Sequence, residues 1–185
     1  MLTTQTTSIN GVISIIPKVF TDDRGSFFQA FHHQQYQDIG IDTLFVQDNQ
    51  SYSKQGCLRG LHYQESPHAQ AKLIRVLQGE IYDVAVDLKP DSPTFGQWHG
   101  QHLSSNRNDQ LYIPNHCAHG FYVLSETATV LYKCDHPYHP ASERSLRWDD
   151  PRLNIQWPIL SGTTPILSEK DHHAPTFHPS HFHVS

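Results

Sequence analysis

Gly and Pro interrupt this chain so often that no long stretch sustains a helical hydrophobic period, which restricts the fold to short strands and turns. Ten Gly and twelve Pro are spread through the 185 residues. Between them, residues 12–20, 26–31, 44–52, 57–63, 97–103, 110–113, 119–124 and 129–134 read as strands, and only 33–39 and 168–171 read as short helices. The clearest pattern runs over 72–88, where Tyr82, Val84, Val86 and Leu88 alternate with Ile81, Asp83, Ala85 and Asp87. Gln78-Gly79 before it predicts a two-residue hairpin turn. Many short strands without crossover helices predict an all-β sandwich or barrel of the jelly-roll kind. Lys72 shares parity with Ile74 and Val76, so it faces inward and is costly to bury unless it is functional or paired. Either Lys72 and Asp83 mark a polar cavity, or they form a structural ion pair.

The size predicts one domain over 1–185, with a His- and Pro-rich tail from about 172 onward. Thirteen Lys and Arg against 18 Asp and Glu give a net charge of −5, which argues against a nucleic-acid or anionic-membrane surface. Cys57, Cys117 and Cys134 lie far apart with no Cys-x-x-Cys, as expected in a reducing compartment. The first eight residues have neither a basic start nor an apolar stretch, so no signal peptide is expected, and a cytoplasmic location is. Of the 15 histidines, five (His172, His173, His178, His181 and His183) crowd the tail, which reads as an exposed segment with incidental metal affinity.

A jelly roll commonly holds a metal through a His-x-His pair, but here the second position is Gln64, a poor ligand. His62 and His119 are left without a clear third, and no metal or other cofactor is expected. In Leu58-Arg59-Gly60-Leu61-His62-Tyr63, a guanidinium suited to phosphate stands near an imidazole that moves protons near pH 7. Strict alternation sends Arg59 and His62 to opposite faces. Gly60 permits a bulge that brings them to one. Phe20, Arg24 and Phe27 frame a second cluster, suited either to a ring and an anion or to a plain turn with Arg24 bridged to Asp22 or Asp23 and the Phe residues in the core. Tyr132, Tyr138 and Glu143 lie later, and a phenol can donate the proton that an imidazole on the other side cannot.

Phe20-Thr-Asp-Asp-Arg-Gly25, Gln47-Asp48-Asn49, residues 58–64 and 71–76, residues 79–87, Ala118-His119-Gly120-Phe121, Tyr132-Lys133 and Leu167-Ser168-Glu169-Lys170-Asp171 together resemble the dTDP-4-dehydrorhamnose 3,5-epimerase family, in order from about residue 12 to 175. The resemblance implies a cupin-like jelly roll, a homodimer, no metal, and dTDP-4-dehydro-6-deoxy-glucose as substrate. It further implies that His62 is the base, Asp171 its orienting partner, Tyr132 the acid and Lys72 the group at the carbonyl oxygen. By the same likeness, Phe20, Arg24, Phe27, Gln29, Gln47, Asp48, Asn49, Arg59, His119, Tyr138, Glu143 and Lys170 would hold nucleotide and sugar. Two departures stand out: Gln29 where the family usually has Glu, and His116-Cys117 where it usually has Gly-Phe. The same residues also suit a single-carbon epimerase, a ketoisomerase or a non-catalytic sugar-nucleotide or metal-binding cupin.

Overall fold

The computed structural model describes residues 2–182, and His183 of the tail lies outside them. Thirteen strands and two short helices form it: β1 (Thr3–Thr6), β2 (Ile13–Ile16), β3 (Val19–Asp22), β4 (Gly25–Phe28), α1 (His33–Gln37), β5 (Gln47–Lys54), β6 (Leu58–Gln64), β7 (Lys72–Gln78), β8 (Glu80–Asp87), β9 (Trp98–Ser104), β10 (Gln110–Ile113), β11 (Cys117–Val123), β12 (Thr127–Cys134), β13 (Glu143–Ser145) and α2 (Glu169–His172). One sheet runs β1-β2-β10-β7-β12-β5, the other β13-β6-β11-β8-β9, and β3-β4 stands apart as a hairpin. The two sheets face each other as a cupin-like jelly roll.

Alternate residues of each sheet fill the space between them. Ile74, Val76, Leu111, Ile113 and Val130 come from the first sheet, and Ile81, Ala85, Leu103, Phe121 and Val123 from the second. Each of these side chains except Ala85 contributes about 1.5–3 kcal/mol relative to exposure. The second sheet is also buried on its other face, where Leu58, Val84, Val86 and Tyr122 pack against Leu153, Trp157 and Phe177 of the carboxy-terminal third. Burial on both faces explains why 117–123 is a continuous run of buried residues rather than an alternating one.

The expected hairpin over 72–88 is not formed. β7 pairs with β10 and β12, while β8 pairs with β11 and β9, so the chain crosses from one sheet to the other at Gln78-Gly79. Gly79 makes that corner at φ +82°, where a Cβ would lie 2.2 Å from the Thr127 carbonyl oxygen. Alternation identified both strands and their inward residues, but it carries no information about which neighbour each one pairs with. The predicted strand over 12–20 splits into β2 and β3 around Pro17, which has no N–H to offer a ladder. The strand expected to reach residue 31 stops at Phe28, and the one expected from residue 44 starts at Gln47. β1 and β13 lacked an apolar alternation to reveal them. The tail is less free than expected: its described histidines are exposed, but Ala174 and Phe177 are buried and anchor it to the second sheet.

The proposed bulge in β6 is present. His62 stands opposite His119 and Arg59 opposite Phe121, so three steps of β6 match two of β11. Gly60, at φ +125°, sits at that slip, and a Cβ there would lie 2.5 Å from Gly120 Cα and 2.8 Å from the His119 carbonyl oxygen. Both obstacles are backbone, so neither can swing away. Gly60→Ala is therefore expected to cost on the order of 3–5 kcal/mol. Thermal melting checks this, and a variant melting within a degree or two of the parent would refute the close crossing.

Candidate active site

Two adjoining cavities of about 240 Å³ and about 150 Å³ share three side chains in their walls: His62, Lys72 and Tyr132. His62 is supplied by β6 of the second sheet, whereas Lys72 on β7 and Tyr132 on β12 belong to the first. Imidazole and phenol therefore enter from opposite walls. The bulge gives Arg59 a place in the smaller cavity beside His62 and His119.

His62 Nε2 lies 2.5 Å from Asp171 Oδ1. That bond occupies one ring nitrogen and leaves the other for a ligand. Asp171 is set by its helix: Ser168 caps α2 by accepting the Asp171 N–H at 3.2 Å, and the carboxylate then faces β6. Burial favours the neutral carboxyl at Asp171, but the His62 ring, the Ser168 hydroxyl and the Gly60 N–H outweigh it and hold the group below the ordinary carboxylate value. His62 itself is 29% exposed in its side chain, open enough to meet a ligand.

Lys72 is 8% exposed, and among the described residues no hydrogen bond or ion pair engages its ammonium. The structural alternative of a direct Lys72–Asp83 ion pair is thus not realised. Asp83 Oδ1 instead meets His119 Nε2 at 2.8 Å. Burial pushes the Lys72 pKa down against the pull of Cys134, Asp83 and Glu143. Burial likewise pushes Tyr132 up, so its phenol keeps its proton. His119 is held below the ordinary imidazole value by burial, against the opposing pull of Asp83.

Gln47 and Asn49 line the larger cavity with Tyr138 and Glu143. The Tyr138 hydroxyl donates to Glu143 Oε2 at 2.8 Å, Lys170 Nζ meets Glu143 Oε1 at 2.6 Å, and the Tyr138 N–H donates to Gln47 Oε1 at 3.0 Å. Lys170 thus reaches the site through Glu143. Asp48, between two lining residues on a strand, faces away and pairs with Lys133 at 2.9 Å. Phe20, Arg24 and Phe27 are not brought to this cavity. They line a groove of their own on the β3–β4 hairpin, where Arg24 bridges Asp22 at 2.6 Å as the plain-turn reading has it. The phenylalanines are not core, however: Phe20 is 54% and Phe27 72% exposed. Gln29 is exposed just beyond β4. His116 lines a separate cavity of about 630 Å³.

Gln64 and Gln70 also line the larger cavity and were not singled out as ligand-binding residues. Gln64 spends its amide on the His68 carbonyl at 2.6 Å and the His139 N–H at 2.7 Å, tying two loops to the cavity rim. A glutamine reads as surface in a sequence, and only the inward parity it shares with His62 could have marked it.

A carboxylate-held imidazole set against a phenol and a buried ammonium inside a cupin-like jelly roll brings together groups able to give and take protons, and the proteins this chain is similar to are isomerases. The model of the family described as dTDP-4-dehydrorhamnose 3,5-epimerase matches residues 6–179, and the chain belongs to that family. The dTDP-4-dehydrorhamnose 3,5-epimerase of Salmonella typhimurium is 49% identical over 170 residues, 91% of this chain and 92% of that one. A dTDP-6-deoxy-D-glucose-3,5-epimerase from Legionella pneumophila, solved with dTDP-4-keto-L-rhamnose, superposes with a TM-score of 0.91 at 47% identity, covering 95% of this chain and 93% of that one. A 3′-monoepimerase from Streptomyces bikiniensis, solved with dTDP-quinovose, gives 0.85 at 38% identity over 91% of this chain and 85% of that one.

Proposed function

We propose that this protein inverts carbons 3 and 5 of dTDP-4-dehydro-6-deoxy-glucose, giving dTDP-4-dehydro-rhamnose, without a metal or other cofactor. The observation that carries this reading is the entry of His62 and Tyr132 into one cavity from opposite sheets, with Lys72 in the shared wall. The keto group at carbon 4 acidifies the hydrogens on carbons 3 and 5. The His62 nitrogen not held by Asp171 takes one of them, and the electron pair moves onto the carbonyl oxygen. The Lys72 ammonium stabilises that oxygen, an interaction worth on the order of 3 kcal/mol for a single preorganised donor. Tyr132 then delivers a proton to the same carbon from the other face, which inverts it. His62 then releases its proton to solvent and Tyr132 takes one up, and repetition at the second carbon, followed by the same exchange, completes the reaction. Asp171 keeps the imidazole in the useful tautomer and stabilises its charged form.

Arg59 and Lys170 suit the diphosphate, and Gln47, Asn49, His119, Tyr138 and Glu143 suit sugar and base. Remote binding at the nucleotide would orient the ring at the catalytic wall. Phe20, Arg24, Phe27 and Gln29 find a role in a homodimer: exposed on one chain, they are available to flank a nucleotide bound by a second copy. The whole chain would act as one domain in the cytoplasm. Among the described residues no helix is long and apolar enough to cross a membrane.

The structural likeness to a 3′-monoepimerase favours one second reading, inversion of a single carbon. Incubation with the substrate in deuterated water separates the two by NMR: label at carbons 3 and 5 is expected, and label at carbon 3 alone would replace the first reading with the second. In the same assay Tyr132→Phe is expected to retain exchange while losing net inversion by about 10²-fold or more, because the base survives and the opposite-face donor does not. Normal inversion by that variant would remove Tyr132 from its role.

A further inference from the structure

We propose that Asp83 is a positioning residue of this site: its buried carboxylate fixes His119 and supplies the counter-charge that keeps the Lys72 ammonium cationic. The proposal rests on the enolate role assigned to Lys72 above, and its geometric basis is separate from that role. Asp83 is 0% exposed and stands on β8 of the second sheet, with Phe121 of β11 opposite it. Its Oδ1 is used by His119 Nε2 at 2.8 Å, while its Oδ2 is buried with no hydrogen-bond partner among the described residues. A buried carboxylate oxygen left in that condition is expensive unless a positive charge is near.

The charges around the cavity leave one such cation. Asp171 is hydrogen-bonded to the His62 ring, and Lys170 is already paired with Glu143. Arg59 is exposed and its Nε donates to the Ser53 hydroxyl at 3.0 Å. His119, pushed toward its neutral form by burial, does not balance Asp83. What remains is a buried ammonium on the first sheet and a buried carboxylate on the second, neither in an ion pair with any other described residue of opposite fixed charge. Asp83 stands in the inward row of Ile81 and Ala85 and acts on Lys72 across the space between the sheets, pulling its pKa up where burial pulls it down.

The groups that face Lys72 are Cys134 and Tyr132 of β12, Asp83 of β8, His62 and Arg59 of β6, Glu143 of β13 and Lys170 of α2, with His119 of β11 close enough for Lys72 to bear on it. Burial pushes the Cys134 thiol up to about 11, so it is neutral at the pH of interest. Tyr132 feels Cys134, Arg59 and Glu143, and Asp83 is not among its perturbing charges. Removing the Asp83 charge should therefore move the titration of Lys72 and spare that of Tyr132.

The test is a cycle of Asp83→Asn, Lys72→Met and the double variant, read by thermal melting and by the pH dependence of deuterium exchange. Asp83→Asn keeps the shape and a group able to accept from His119. The expected result is an alkaline limb displaced by about one unit toward lower pH, because a Lys72 without its counter-charge loses its proton sooner. The loss is expected in kcat, growing toward tenfold as pH rises past the displaced limb and small below it, with KM changed less than threefold, and Asp83→Glu should restore part of it. In melting, Asp83→Asn should cost more in the parent than in the Lys72→Met background. If Asp83→Asn alone fails to fold, the double variant should fold, since it removes both charges. An unmoved alkaline limb, equal melting losses in both backgrounds, or a double variant less stable than Asp83→Asn would each overturn the proposal. Failure of the underlying enolate role has a different signature: Lys72→Met with unimpaired exchange at neutral pH, whatever the melting cycle shows.

Discussion

His62→Ala is expected to reduce deuterium exchange at both carbons together, by about 10²–10⁴-fold, the range over which a positioned general base accelerates proton transfer. One nitrogen of this ring is held by Asp171 at 2.5 Å, so a single imidazole stands between the two cavities to serve both carbons. Loss at only one carbon would mean that a second base exists. The fold should survive the change, because the His62 side chain is partly exposed and contributes little to either core. Asp171→Asn should fall in the same direction, by less.

Lys72→Met should separate activity from stability. The proposed loss of oxyanion stabilisation predicts a fall of roughly 10²–10³ in kcat. Stability is expected to rise at pH 7, because the net downward pKa shift means that burial of the ammonium costs more than the attraction of Asp83, lost with it, returns. Burial lowers the Lys72 pKa in the folded chain below its ordinary value of 10.5. Folding therefore carries a penalty that is absent above pH 10.5, grows as pH falls toward the folded-state value and stays constant below it. A methionine of similar length removes that penalty, so the variant's advantage should be present at neutral pH and vanish in strong alkali. A gain of 1 kcal/mol would register as roughly 2–4 °C in a chain of this size. A variant destabilised at pH 7 and fully active would contradict both arms.

How far the sequence anticipated the molecule depends on which physical effect decides each feature. Side-chain parity is local, so Lys72, Ile74 and Val76 were readable as one inward row and Gly60 as the site of a slip. Strand partnership is decided by contacts distant along the chain, which is why 72–88 looked like a hairpin and is a crossing between sheets. Among the candidate site residues, His62, Lys72, Tyr132, Arg59 and His119 meet in one cavity wall, and Asp171 reaches His62 from a capped four-residue helix. Recognising a family motif located them; alternation alone would not have found Asp171, which lies 109 positions from its partner. The Arg24 cluster illustrates the converse. Its residue types suggested a ligand, yet in one chain it is an exposed hairpin with a local ion pair.

The corner at Gln78-Gly79 carries a consequence for anyone who would rebuild this protein. Because the chain changes sheets there, one short uninterrupted segment delivers both the ammonium and the carboxylate that face each other across the barrel. That segment is a natural cassette: transplanted into a related barrel it would bring its electrostatics along.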